Sequence, residues 1–343
     1  MKTVPLRARR ALIGAIGAVG VAAPLLVRPT ASGPRSTLPG AAQPSWPREP
    51  LHIVVPFGVG GTADRLARAI GERLAPRLGV AVVIDNRPGA GGAIGTAAVA
   101  RAAPDGRVLG LATQSTHAAL PALHPRLPYD PIADFTPVAM LARVPHVLAV
   151  HRSVAARDAA ELIALARARP RALSFGSPGV GSLGHLRMLQ FSAMFGIDLL
   201  HVPYHAIPTL LADAMSGRLH LFGDNLLTAL VYLGHSLRPI AVSGRQRVAA
   251  LPRVPTFAEA GLDEAGDLSW FGLVAPAAMP TTIVGQLNEA LRDVLTEPGL
   301  TRLLAPSGSL AVAAETPSQF RDEIDATLRD FRAIVSRYGL SAA

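Results

Sequence analysis

No cysteine occurs in the 343 residues. That excludes disulfides, thiolate metal sites and a lipid anchor on an N-terminal cysteine. Lysine is almost as rare: Lys2 is the only one, so a Walker-type phosphate loop, which needs a loop lysine, is also excluded. Acidic residues are missing from residues 1–42, which hold Lys2, Arg7, Arg9, Arg10, Arg28 and Arg35. Six of the nine surplus positive charges therefore lie in that stretch, and the rest of the chain carries a surplus of only three. Its arginines are interleaved with acids and form no stripe, which argues against nucleic acid as a partner.

What the N-terminus does contain reads as an export signal. A basic start, MKTVPLRARR, precedes an uncharged run, ALIGAIGAVGVAAPLLV, and then a stretch rich in Pro, Ser, Ala and Gly. The run, residues 11–27, is at the lower length limit for a membrane span. Gly14, Gly17, Gly20 and Pro24 weaken it further as a permanent anchor. The expectation is a signal peptide over residues 1–42, cleavage after Ala42 and a periplasmic protein. Arg9–Arg10 leaves either the general or the twin-arginine export route open. With no disulfides, such a protein must be held by its core, and 50% apolar residues suffice for two ordinary domains.

From residue 50 the chain alternates short apolar runs with amphipathic stretches. LHIVVPF reads as a strand, and TADRLARAIGERLAPRLG places Leu66, Ile70, Leu74 and Leu78 on one helical face. VAVVID and VLGLAT follow as strands with GGAIGTAAVARAAP as the helix between them, an order that predicts a parallel sheet. HVLAV, at 146–150, opens a second unit of the same grammar. After WFGLVAP come two helices, one with Ile283, Leu287 and Leu291 on a face. The other opens with a capping box, Thr316 to Gln319, and aligns Phe320, Ile324, Leu328 and Phe331. The expected fold is α/β with two lobes and a cleft between them, lobe 1 from 46–143 plus 270–343 and lobe 2 from 144–269.

Three glycine-rich turns lie at strand-to-helix junctions: GVGGTA at 58–63, NRPGAGGAIG at 86–95 and GSPGVGSLGH at 176–185. The first, with Asp85 further on, fits the dinucleotide fingerprint G-x-G-x-x-A. Pro56–Phe57 delay the glycines, however, and Asp85 leads into a second glycine loop for which a nucleotide fold has no use. No cofactor is expected. Helix N-termini carry unpaired N–H groups and a partial positive charge, enough to hold an anion without an arginine. Thr62, Thr113, Ser177 and Ser182 add hydroxyls. The glycines are equally compatible with tight turns and close packing alone.

Catalytic patterns are missing. Ser182 sits in V-G-S-L-G and not in a G-x-S-x-G elbow. His201 and His205 flank Pro203 in a stretch that reads as a strand, so they do not share a helical face for a metal. No carboxylate pair is placed for acid–base work. The chain reads as a non-enzyme with no metal site.

The strings IVVPFGVGGTADRLAR, VIDNRPGAGGAIGTAAVARAAPDGRVL, LPYDPIADFTPVAML, SFGSPGVGSLGHL, HVPY, LPRVPTFAEAGL and WFGLVAP resemble the periplasmic solute receptors of tripartite tricarboxylate transporters, also called the Bug (Bordetella uptake gene) family. The resemblance runs from about residue 48 to the C-terminus. It implies a type II periplasmic-binding-protein fold and a monomer that closes on a small carboxylate and passes it to membrane permease subunits. Carried over by position, Phe57, Gly60, Gly61, Thr62 and Asp64 match the first binding loop. Ala90, Gly91, Gly92 and Ala93 match the second, and Ser177, Gly179, Gly181, Ser182 and His185 the third. Thr113 and Thr116 match a polar pair at a strand end, Asp224 and Asn225 an acid–amide pair, and Tyr204 the P-Y motif. The chain departs from the family pattern at Ala63, His205, Ala206, His220 and Gly223, mostly in the second lobe.

A transport receptor and a sensor that acts through a membrane kinase would use the same cleft. The sequence does not separate them, nor does it name the carboxylate. If the N-terminal reading is right, mass spectrometry of periplasmic protein is expected to find a mature N-terminus between about residues 24 and 43. Intact Met1 in a membrane fraction would refute it.

Overall fold

The computed structural model describes residues 46–262, 268–313 and 315–341. The expected signal segment and its cleavage point lie outside the described residues. β1 (Leu51–Val55) leads through a glycine turn into α1 (Thr62–Leu78). Leu66, Ile70 and Leu74 of that helix are buried, as their spacing predicts, and Leu78 packs at the margin. β2 (Val82–Asn86), α2 (Ala93–Ala100) and β3 (Val108–Thr113) complete the first unit. A short helix, α3 (Leu120–Leu123), precedes β4 (Phe135–Val144).

After Pro145 the chain builds β5 (His146–His151), α4 (Ala159–Ala168), β6 (Ser174–Ser177), α5 (Leu183–Phe195) and β7 (Leu200–Pro203). α6 (Ile207–Ser216), β8 (Leu221–Asn225), α7 (Leu226–Ala229) and β9 (Leu237–Val242) follow. β10 (Ser269–Pro276), α8 (Thr281–Leu295), α9 (Pro298–Leu304), β11 (Leu310–Ala311) and α10 (Pro317–Tyr338) close the chain. The capping box at Thr316 and Gln319 is formed, and Phe320, Ile324, Leu328 and Phe331 are buried on one face of α10.

The strands form two sheets, ordered β11-β4-β10-β3-β1-β2 and β7-β6-β8-β5-β9. β1, β2 and β3 are parallel, and so are β6, β7 and β8. Neither sheet is wholly parallel, contrary to the expectation from the β-α-β order. β10 runs antiparallel between β3 and β4, and β5 antiparallel between β8 and β9. β4 itself escapes sequence reading because eight of its ten residues are buried, so no period of two shows.

Sheet membership changes at Pro145 and again before Ser269, and the two crossings touch. Ser269 is paired with Val144 in the first sheet. The His146 N–H donates to Ser243 Oγ at 2.8 Å, while its Nε2 is hydrogen-bonded to Ser269 Oγ. The last residues of β3 and β8 lie beside this junction, Thr113 paired with Phe271 and Asn225 with His146.

One packing contact ties β10 to the C-terminal helix. Phe320 meets Trp270 edge-on with centroids 5.4 Å apart, and its ring fills the space over Gly272. Trp270 Nε1 donates to Thr327 Oγ1 at 3.0 Å, and both rings are fully buried. Phe320→Ala is expected to cost about 3–5 kcal/mol of unfolding free energy. The loss should show as a lower urea midpoint at unchanged slope.

Candidate functional site

The glycine loops can be read by asking what meets them. A Cβ on Gly58 would stand 3.3 Å from the His205 carbonyl oxygen, and one on Gly61 would stand 3.3 Å from Ile207 Cγ1. The second loop turns through left-handed residues, Gly89, Ala90 (φ 47°), Gly91 (φ 63°) and Gly92. A Cβ on Gly91 would collide with the Val180 carbonyl oxygen at 2.5 Å, and one on Gly179 would stand 3.2 Å from Gly91 N. The second and third loops therefore meet backbone to backbone, and the first meets residues 205–207.

Around the first loop the chain leaves a cleft of ≈ 570 Å³ between protein atoms, its mouth included. Phe57, Gly61, Thr62 and Ala63 line it from the β1–α1 junction, and Thr113, Gln114 and Ser115 from the end of β3. Pro178, Leu183 and Gly184 enter from the third loop and the start of α5. Asp224 and Asn225 come from the end of β8, and His146 and Ser269 from the junction of the sheets. Ile207, Trp270 and Phe271 supply apolar surface. No lysine or arginine is among these residues.

Two features give the cleft its chemistry. The first is a helix end without a cap. Gly61 is the N-cap of α1 and no side chain satisfies the first-turn N–H groups, which therefore offer donors, while the Asp64 carboxylate of the same turn offsets part of the helix end's positive charge. α5 differs: Leu183 N–H donates to Ser115 Oγ at 3.0 Å and His185 N–H to Ser182 Oγ at 3.4 Å. The second feature is a pair of orphaned acceptors, Gln114 Oε1 and Asn225 Oδ1, both buried without a partner. Leaving such an oxygen dry and unpaired costs about 1–3 kcal/mol.

Only Asp224 and His146 are ionisable among the lining residues. Burial pushes the Asp224 carboxyl up to about 6, although Asn225 donates to it from backbone and side chain. The His146 ring is pushed down to about 3, by burial first and then by the nearby Arg187 charge, and is neutral. A larger groove, ≈ 1850 Å³, shares Gln114 and is lined by Arg143, Arg187, Arg245 and Arg247. Arg143 is already paired with Glu315 and Glu323, and Arg247 with Glu259.

Of the residues singled out in the sequence, Phe57, Gly61, Thr62, Thr113, Asp224 and Asn225 line the cleft. The others stand behind it. Asp64 accepts from Gly60 N–H at 2.9 Å and from Arg68, which together with Asn86 outweigh burial and keep its carboxyl below the ordinary value. Thr116 clasps Thr113 at the end of β3 and accepts Tyr129 OH on its carbonyl at 2.6 Å. Ala90, Gly91, Gly92 and Ala93 form the turn behind Phe57, where a Cβ on Gly92 would meet the ring at 3.2 Å.

Loop three is held from within. Ser177 Oγ accepts from Gly179 N–H, and Gly181 N–H donates to His185 Nδ1 at 3.2 Å. His185 stacks on His201, centroids 4.0 Å apart, and burial holds both rings at about 4, hence neutral. Ser182 caps α5. Tyr204 donates to Asp213 at 2.8 Å, away from the cleft. Sequence reading missed Gln114, His146 and Ser269. Gln114 directly follows Thr113 and was within reach, but the other two come together only through the sheet crossing.

The profile described as "Tripartite tricarboxylate transporter family receptor" matches residues 66–340. The chain belongs to that family. BugT of Bordetella pertussis is 32% identical over 297 residues, 86% of this chain and 91% of that one. Two solved structures share the fold closely. An R. palustris protein with adipate has a TM-score of 0.81 at 36% identity, covering 87% of this chain and 99% of its own. MatC from Rhodopseudomonas palustris with bound malate has 0.81 at 30%, covering 84% and 100%. The family is one of solute-binding receptors, as the sequence resemblance implied. Among the described residues no helix is long and apolar enough to cross a membrane.

Asp224 makes the site sensitive to pH. Its folded value lies above the ordinary 3.8, so the folded protein keeps this proton longer than the unfolded chain does. The stability it contributes is complete below 3.8 and is lost as the pH rises through about 6. Relative to Asp224→Asn, the wild type should lose on the order of 1–2 kcal/mol across that interval, a value discounted for partial exposure. Urea titrations at a series of pH values check this.

Proposed function

We propose that this protein is a periplasmic receptor that captures a small carboxylate in the cleft and delivers it to the permease subunits of a tripartite tricarboxylate transporter. The observation that carries the reading is the uncapped N-terminus of α1 opening into a cleft without a cationic side chain. Such a site suits an anion held by neutral donors. The adipate and malate in related structures support the choice of a carboxylate. In this reading residues 1–42 are the cleaved export signal.

The protein is proposed to work without catalysis. His146 and Ser269 form a hydrogen-bonded pair of the kind a nucleophile and base make. Both are buried, and a ring held at about 3 is too weak a base to activate a hydroxyl near neutral pH. Ser182 and His185 are occupied in capping α5 and closing its loop.

Lobe 1 (46–143 with 270–343) and lobe 2 (144–269) are proposed to open and close about the two crossings. The division of strands between the sheets at Pro145 and Ser269 supports these boundaries. Gly61 stands where closing surfaces meet, and its φ of −78° is open to any residue. Gly61→Val should therefore leave unfolding cooperative while lowering affinity at least about 100-fold, because the side chain would occupy the cleft beside the helix N-terminus and press on Ile207. Calorimetric titration with a panel of small carboxylates tests the proposal. A folded Gly61→Val that binds as tightly as wild type would overturn it.

A further inference from the structure

The cleft is chemically two-sided. At α1 it offers N–H donors that no side chain satisfies. Elsewhere the buried lining atoms without a partner are acceptors. Gln114 is 5% exposed and lines the cleft, and its Nε2 is directed to the Leu268 carbonyl at 3.4 Å, which leaves Oε1 buried without a partner. Asn225 gives its side-chain donor to Asp224, which leaves Oδ1 likewise unpartnered. Asp224 completes the set, with Oδ1 accepting from Asn225 N–H at 2.7 Å. Three of the four lining hydroxyls are engaged with other side chains, Thr62 with Thr228 at 2.7 Å, Thr113 with Thr116 and Ser269 with His146, and the fourth, Ser115, accepts from Leu183 N–H at 3.0 Å.

Resting on the carboxylate-receptor reading, we infer that the ligand is a carboxylate at one end and a hydrogen-bond donor, a hydroxyl or an ammonium, at the other. Such a molecule fills both unmet needs, its anion at the helix N-terminus and its donor among Gln114, Asp224 and Asn225. A dicarboxylate of equal length satisfies the first need only. Its second anion meets two carbonyl oxygens and a carboxylate, and no cationic side chain lines the cleft to offset it. The ionisable groups facing that end are Asp224 itself and the neutral His146, with the Arg187 charge nearby. Below the value to which burial raises Asp224, about 6, its protonated carboxyl becomes a donor and the penalty on a dicarboxylate shrinks.

The test is calorimetry on full-length mature protein, stripped of ligand by unfolding and refolding, with matched sets of two lengths. The probes are succinate, 4-hydroxybutyrate and 4-aminobutyrate, then adipate, 6-hydroxyhexanoate and 6-aminohexanoate, at pH 8 and pH 5. In at least one set the hydroxy or amino acid should bind tenfold or more tighter than the diacid at pH 8, with the gap narrowing at pH 5. Asp224→Asn should shrink the gap at pH 8 and reduce its change with pH to the part that comes from protonation of the diacid's own second carboxyl, and Gln114→Leu should shrink it at both. Thermal unfolding of each variant establishes that it is folded. Diacids that bind as tightly as their partners at pH 8, or a preference unchanged in both folded variants, would overturn the inference while leaving a carboxylate receptor standing. Binding of none of the six would remove the receptor reading itself, and this inference with it.

Discussion

Two chain crossings lie side by side where the sheets meet, and the buried His146 ring fastens one to the other through Ser269. This clasp has the cleft built around it, and both of its residues line that cleft. It brings the end of β3, the β1–α1 turn and the end of β8 around one space, although these belong to different sheets. The clasp works because the ring is uncharged. An imidazolium at this depth would carry a desolvation cost of several kcal/mol, and nearby Arg187 would repel it. Neutral His146 instead acts as a polar strut, with its backbone N–H on Ser243 and its ring on Ser269.

The glycines show how closely the chain must pass itself around that space. Gly91 and Gly179 let two loops touch through their backbones, and Gly58 does the same for the first loop against His205. A side chain on Gly91 would meet the Val180 carbonyl oxygen, which has no rotamer by which to move away. The second and third loops thus contribute by contact with each other, and the first presents a helix end to the cleft. One composition, three glycine turns at strand-to-helix junctions, serves two physical purposes. Local sequence does not say which turn serves which.

That limit explains what was legible beforehand. Periodicity revealed α1 through Leu66, Ile70 and Leu74, and α10 through Phe320, Ile324, Leu328 and Phe331, because each buries one face. The capping box at Thr316 was equally plain, being local chemistry within four residues. β4 was hidden because burial on both faces erases alternation, and the antiparallel insertion of β10 because strand order is set by distant pairing. In the site, Thr62 and Thr113 were found at strand or helix ends, where α/β folds place ligands, and Asp224 only through the family resemblance. His146 and Ser269 were not, since they are 123 residues apart and become neighbours only when both crossings form.

An anion site built from a helix end has consequences that an arginine site would not share. A buried guanidinium–carboxylate pair is bidentate and strong, and a cleft that opened would have to strip it apart. Backbone N–H groups instead divide the interaction among donors that water replaces one at a time as the cleft opens. Among the described residues Arg68, Arg143 and Arg247 are spent elsewhere, on Asp64, Glu315, Glu323 and Glu259, and none of the three lines the cleft. In the proposed reading binding strength is tied to closure: the donors gain their full effect only when the surrounding surfaces exclude water, and lose it when those surfaces part. A receptor that must release what it has captured is served by that coupling more than by raw affinity.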